Sequence, residues 1–200
     1  MFDRETGTLW TQLEGRAIQG PDQGQRLSHV PSTYTTWDAW KREHPDTLVL
    51  LKEGEELSIS GSQYADYFAD PERLWMDHLA EGLGGVQPKD LVFGVMLDGD
   101  SLAVTERFLQ SRRVVNAVVS GTPVAWLLDE QTSFPRAVDR RLDGRVLLLQ
   151  AIPGENPSQL FRDRLTGEVH AFDELSALRV DRAFWYAWRR SHPGSPVISD

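Results

Sequence analysis

The chain contains no cysteine. That absence removes disulfides, thiol nucleophiles and every zinc or iron–sulfur site built on thiolates, and it leaves the redox compartment open. No apolar run approaches the roughly 18–20 residues needed to span a bilayer. The opening, MFDRETGTLW, lacks the basic segment and apolar core of a signal peptide. As encoded, the protein is expected in the cytoplasm, or exported if the true N-terminus lies upstream. Positive charge is also short: 21 Lys and Arg stand against 30 Asp and Glu, a net charge of −9. Binding to nucleic acid or to anionic membranes rests on basic surface, so neither is an expected partner. H-E-x-x-H, P-loop, G-x-S-x-G and G-x-G-x-x-G are all missing, which counts against the enzyme classes they serve.

What is present describes a globular protein. Hydrophobic residues make up 40% and charged residues 26% of 200 positions, enough for one core or two halves sharing one. Tryptophan is unusually plentiful at seven, and four of the seven fall in two matching segments. TTWDAWKREHPDTLVL and RAFWYAWRRSHPGSPVI share W-x-x-W-x-x-x-H-P at Trp37–Pro45 and Trp185–Pro193. Asp3–Gly7 (DRETG) and Asp163–Gly167 (DRLTG) match in the same order upstream. Two shared motifs in one order point to an internal duplication. The halves differ in length: a strand-rich lead-in from about Lys89 precedes Asp163, whereas only Met1 and Phe2 precede Asp3.

The lead-in reads as β structure. DLVFGVMLDGDSLAV turns at Asp-Gly, RVVNAVVSGTPVAWLLD at Ser-Gly, and RAVDRRLDGRVLLLQ at Asp143–Gly144, each a hairpin signal. QLFRDRLTGEVHAF turns at Thr166–Gly167 as FDRETGTLW does at Thr6–Gly7. Asp3 and Asp163 are therefore read as turn residues, since Asp and Thr bond nearby backbone in tight turns. Trp37, Trp40 and His44 share one helical face, as do their counterparts Trp185, Trp188 and His192. The spacing predicts a two-turn helix, started by Thr35 with Asp38 or by Asp181, ended before Pro45 or Pro193, and buried through its indoles. A short strand is expected after each, TLVLL and PVIS. KEGEELSISGS reads as a polar loop or edge hairpin, and the segment from Gln63 to Asp90 as helical turns with a Gly-rich link. The pairs Arg112–Arg113, Arg140–Arg141 and Arg189–Arg190 are expected on solvated faces. The expected fold is β-rich α+β, with two related halves that each carry antiparallel hairpins and one tryptophan helix. Residues 1–52 form a truncated first repeat, 53–88 a connection and 89–200 a complete second repeat.

D-R-x-T-G-x-x-W, G-x-A-I-x-G-P and T-T-W-x-x-W-x-x-x-H-P-x-T-L-V-L, followed by YADYF, KDLVFGV, VVNAVVSGTPV and RRLDGRV, form a recognisable succession. It resembles the prokaryotic domain of unknown function three-one-seven-nine, over essentially the whole chain. The resemblance implies a two-copy protein, often exported, whose first copy has its own lead-in with a Tyr-Cys-Pro-Leu-Cys element. Here the corresponding part of the second lead-in, VAWLLDEQTSF, has no cysteine, so thiol or metal chemistry at such cysteines does not carry over. The resemblance implies no established activity. It does imply a first half short of strands; in a genuine short form the exposed edges are expected to be covered by a homodimer or removed by a rearranged first half.

Five histidines are left as candidates for chemistry: His29, His44, His78, His170 and His192. His44 and His192 hold equivalent positions and could meet as metal ligands or as an acid–base pair, with His78 as a further candidate. A histidine at a helix C-terminus also needs no role beyond its favourable place in the helix dipole. Asp98/Asp100 and Asp129/Glu130 are carboxylate pairs without a cleft to place them. Trp10, Trp75 or Trp126 could form an exposed plane for a sugar ring. The reading favoured is a non-catalytic binding or scaffold module. The alternatives are an enzyme or metal-binding protein with a histidine site between the halves, and a carbohydrate-binding protein.

Overall fold

Strands begin in earnest after Asp90, where alternate side chains start to face two different cores. The computed structural model describes residues 1–28, 30, 32, 34–50, 64–74 and 85–200. The first half contributes β1 (Leu9–Trp10), β2 (Ala17–Gln19), α1 (Trp37–Glu43) and α2 (Ala65–Ala69). Next come β3 (Leu91–Leu97), β4 (Asp100–Thr105), α3 (Glu106–Arg112), β5 (Val114–Val119), β6 (Thr122–Asp129) and β7 (Phe134–Asp139). The short strands β8 (Arg141–Leu142), β9 (Arg145–Val146), β10 (Leu149–Ala151), β11 (Leu160–Asp163) and β12 (Val169–Ala171) follow. The chain closes with β13 (Ala177–Leu178), β14 (Asp181–Phe184), α4 (Trp185–Ser191) and β15 (Val197–Ile198). This is a β-rich α+β fold.

Two four-stranded sheets dominate, with orders β14-β3-β4-β15 and β13-β7-β6-β5, beside a three-stranded sheet β10-β11-β12. Every pairing is antiparallel except β15 with β4. The hairpins close on Asp98-Gly99, Ser120-Gly121 and Asp143-Gly144, both residues of each pair at positive φ. That geometry matches the twist of the strands it joins, and it explains the dipeptides read from the sequence.

The period-two pattern sets the layers. On β6, Val124, Trp126 and Leu128 face one core together with Phe93, Val95, Val104 and Leu109. Ala125 and Leu127 face the other way, onto Leu147, Leu149 and Phe161. On β3, Val92 points opposite to Phe93 and joins Ala103, Trp185, Tyr186 and Trp188 in a third cluster. Helix α4, two sheets and the three-stranded sheet are thus stacked through three apolar layers.

Two polar side chains lock this stack. Arg140 is buried, and its guanidinium donates to the carbonyls of Val124, Leu147 and Ala117. Asn116 pairs like a strand residue: its Nδ2 donates to the Leu149 carbonyl at 2.8 Å and its Oδ1 accepts from the Leu149 N–H at 3.0 Å. The expectation of solvated arginine pairs fails at Arg140, because three strand carbonyls converge there and need a donor.

Other departures share one physical cause. Trp37 and Trp40 were expected to be buried, yet they are 53% and 40% exposed. Residues 47–50 form no strand, whereas β15 at the matching place after α4 pairs with β4. In both cases the second half has β3 and β4 beneath it, and α1 has no equivalent among the described residues. Thr36, not Thr35, caps α1 by accepting from the Ala39 N–H at 3.2 Å. Asp181 lies within β14 and does not cap α4, whose N-cap is Phe184. Helix α3 follows its capping residue Thr105, a signal the strand-dominated reading of that stretch passed over. His29, His78, Trp75 and all of KEGEELSISGS lie outside the described residues.

Replacing Arg140 with Leu leaves three buried carbonyls without a donor, at a cost of about 3 kcal/mol. Urea unfolding of R140L against the parent protein measures the loss.

Candidate functional site

The two W-x-x-W-x-x-x-H-P segments share one internal geometry. In α1 the Trp40 indole N–H donates to Thr47 Oγ1 at 2.9 Å, and in α4 the Trp188 indole donates to Ser195 Oγ at 2.9 Å. Each tryptophan ring lies against the histidine four residues on, with centroids 4.1 Å apart in both cases. His44 and His192 end their helices with nearly the same backbone angles, φ −129° and −127°, ψ 69° and 73°. Each histidine carbonyl then accepts from the residue three further on, Thr47 at 3.1 Å and Ser195 at 3.0 Å. Pro45 and Pro193 fix the chain just past the helix, so the turn brings the hydroxyl back over the indole. The motif therefore extends to W-x-x-x-H-P-x-[T/S]. Thr47 and Ser195 stand at the same spacing in the sequence, a signal that was available and missed.

The surroundings differ. Trp185 and Trp188 are 2% and 0% exposed. Trp188 packs against Gly94 in β3, where an added Cβ would come within 2.1 Å of Cη2 and 2.3 Å of Cζ3. Gly94 is paired with Ala103 of β4 on one side and with Asp181 of β14 on the other. Val92, Val197 and Leu13 wall the seat. On α1 only Ala39 is buried.

The two D-R-x-T-G turns likewise agree inside and differ outside. Asp3 accepts from the Thr6 N–H at 2.7 Å and from the Trp10 indole at 2.9 Å. The Trp10 bond, then that of Thr6, holds the Asp3 carboxyl down at about 2. Asp163 is buried, which raises its pKa, but hydrogen bonds from Leu148, Leu165 and Thr166 outweigh burial and hold it below the usual carboxylate value. Thr6 and Thr166 both accept the N–H two residues on, at 3.2 Å, across Gly7 and Gly167. In this structure both aspartates hold turns.

The candidate histidines sit apart in character. His44 is exposed and its ring packs tilted against Trp40, the planes 41° apart. His192 is buried against Trp188, with Nδ1 3.9 Å from Glu14 of the first half and Nε2 lacking a hydrogen-bond partner. Burial lowers its pKa below 6.5, against the attraction of Glu14 and Asp181 and with the repulsion of Arg179. His170 donates to or accepts from Glu174 through Nδ1 at 2.9 Å, within the three-stranded sheet. Among the described residues, no group of three or more His, Asp or Glu is placed to hold a metal ion.

Of the carboxylate pairs, Asp98 turns the β3–β4 hairpin. Asp129 accepts from Asn156 at 2.9 Å, and Glu130 pairs with Arg113. A cleft of about 270 Å³ opens between β3 and α3, lined by Asp90, Thr105, Glu106, Arg107 and Gln110. Among the described residues, no candidate histidine lines it. Trp126 is fully buried, and among the described residues the exposed indoles are Trp37 and Trp40.

Two outcomes follow from these environments. Trp188→Ala empties a filled seat and costs about 4 kcal/mol, while Trp40→Ala costs less than about 1 kcal/mol; chemical denaturation of both variants reads the difference. His192 is held neutral in the folded state and binds a proton more readily when unfolded. The stability it supports is full above 6.5 and lost as pH falls below that value. Unfolding free energies between pH 7 and pH 5 should therefore drop less steeply in His192→Asn than in the parent.

The chain matches the family described as protein of unknown function (DUF3179) over residues 1–195. No curated protein and no solved structure matches it significantly. With nearly its whole length covered, the chain belongs to the DUF3179 family.

Proposed function

We propose that this protein is a non-catalytic binding or scaffold module, and that the indole face of α1 is its docking surface. One observation carries the reading. The same helix–turn motif, with the same internal hydrogen bond and ring stack, is fully seated at Trp188 and left 40% exposed at Trp40. A seven-residue helix has little stability of its own, since an isolated helix shorter than about 12 residues is marginal in water. Tertiary cover normally supplies the rest, and a large exposed aromatic face marks an interaction surface. Trp is also among the residues that dominate binding energy at such surfaces. On this view the two halves arose by duplication, with the second retaining its own cover.

A histidine site remains the rival, with His44, His192 and His78 as its residues. Its support is the buried, unpartnered Nε2 of His192. Isothermal titration of the full chain with zinc discriminates: stoichiometric binding abolished in His192→Asn favours the rival.

Fluorine NMR of protein labelled with 6-fluorotryptophan tests the docking face. Single Trp→Phe variants assign the lines, and the shift between H2O and D2O reports water at each ring. Trp37 and Trp40 should show a large solvent shift, and Trp185 and Trp188 none. A Trp40 line insensitive to solvent at low concentration would overturn the reading. Native mass spectrometry across a dilution series reads whether a second copy, as in the expected homodimer, covers this face.

A further inference from the structure

We infer that His170 and Glu168 form an open site for a divalent transition metal of the zinc class, with Glu174 supporting the imidazole from behind. Neither tryptophan motif takes part in it.

The fold fixes the ring before any ion arrives. His170 lies on β12 in register with Phe161 of β11, and its imidazole stacks on the Phe161 ring, centroids 6.0 Å and planes 26° apart. After β12 a single 3-10 turn, Phe172–Glu174, brings the Glu174 carboxylate back to the strand. There Oε1 accepts from the Ala171 N–H at 2.6 Å, and Oε2 meets His170 Nδ1 at 2.9 Å. The His170 contact, then the Ala171 bond, holds the Glu174 carboxyl below its usual value. An ionised carboxylate can only accept, so Nδ1 carries the proton. In the neutral ring Nε2 is then a bare lone pair.

That lone pair has no use inside the fold. His170 is 8% exposed, and its Nε2 is buried without a hydrogen-bond partner. Across a gap of 4.0 Å lies Oε2 of Glu168, in the turn that precedes β12. Two acceptors at that separation are held together only by a cation. Zinc bonds to imidazole nitrogen at about 2.0–2.1 Å and to carboxylate oxygen at about 2.0–2.2 Å, lengths that together span the gap. A histidine whose other nitrogen donates to a carboxylate is also the arrangement that orients metal-binding imidazoles and raises their basicity.

Glu168 is the movable side of the site. Its side chain is 54% exposed, and its Oε2 is held by the Thr166 hydroxyl at 3.1 Å and by Arg145 at 3.2 Å. Arg145 is itself half exposed, and a surface ion pair of this kind is weak enough to yield to a divalent ion. With two protein ligands the site is open, so water completes the shell and the ion exchanges. An imidazole nitrogen in the donor set favours zinc over magnesium.

Isothermal titration of the full chain with zinc, slightly above neutral pH, tests the site. Binding should be stoichiometric, and magnesium should not compete. His170→Phe keeps a flat ring against Phe161 and should abolish binding. Glu168→Gln, at an exposed position, should weaken it about ten-fold or more, and Glu174→Gln by about 10–100-fold. Arg145→Gln should tighten it, because the competitor for Oε2 is gone, and His192→Asn should bind like the parent. Nitrogen-15 NMR of the histidine rings should show His170 protonated at Nδ1 before zinc is added, and its Nε2 line should move afterwards. An Nε2–H tautomer, unchanged affinity in His170→Phe or Glu168→Gln, or no zinc binding at all overturns the proposal. Binding lost in His192→Asn and kept in His170→Phe assigns the ion to the rival histidine site and overturns it as well.

Discussion

An indole pressed onto unadorned strand backbone organises the second half of this protein. Trp188 reaches Gly94 only because no side chain stands there, and that approach brings α4 down onto β3 and β4. From this contact follow the burial of Trp185 and Tyr186 and the landing of β15 beside β4. Dispersion between a large flat ring and close-packed backbone is strong because many atom pairs lie at contact distance. It is also unforgiving: one methyl in the wrong place removes it. Without the platform the same local motif persists with its indoles exposed and only Ala39 buried, which is the condition of α1.

The contrast separates two kinds of information in the chain. Turn chemistry was legible, because Asp-Gly, Ser-Gly and D-R-x-T-G act within a few residues. Each predicted hairpin of the second half is found, with β3–β4, β5–β6 and β11–β12 in place. Helix ends at His44 and His192 were equally readable from the prolines that follow. Burial was not legible. Trp37 and Trp185 have the same spacing and similar neighbours, and only the strands elsewhere in the chain make one exposed and the other buried. Arg140 shows the same limit, since its three carbonyl partners lie on segments up to 23 residues away.

The candidate site was half visible. The repeated Trp and His positions were found, but the Thr47 and Ser195 hydroxyls that complete the motif were passed over, as their spacing has meaning only once the chain turns back. Glu14 beside His192 could not have been found at all from the repeat, because it joins the first half to the second. That contact, with the Arg179 guanidinium donating to the Leu13 carbonyl at 2.6 Å, ties the β1–β2 hairpin to the tryptophan helix of the other half. The halves therefore share a boundary whose polar groups belong to both.

Arg140 has a further consequence for how the protein meets acid. A guanidinium keeps its proton throughout the range in which polypeptides survive, even where burial lowers its pKa, as it does here. The clamp across β5, β6 and the link between β9 and β10 at Leu147 is thus an anchor that titration does not loosen. His192, at the junction of the halves, has the opposite property. Acidification should accordingly undo the molecule unevenly, with the seam around Glu14 and α4 opening while the stack gripped by Arg140 is still closed.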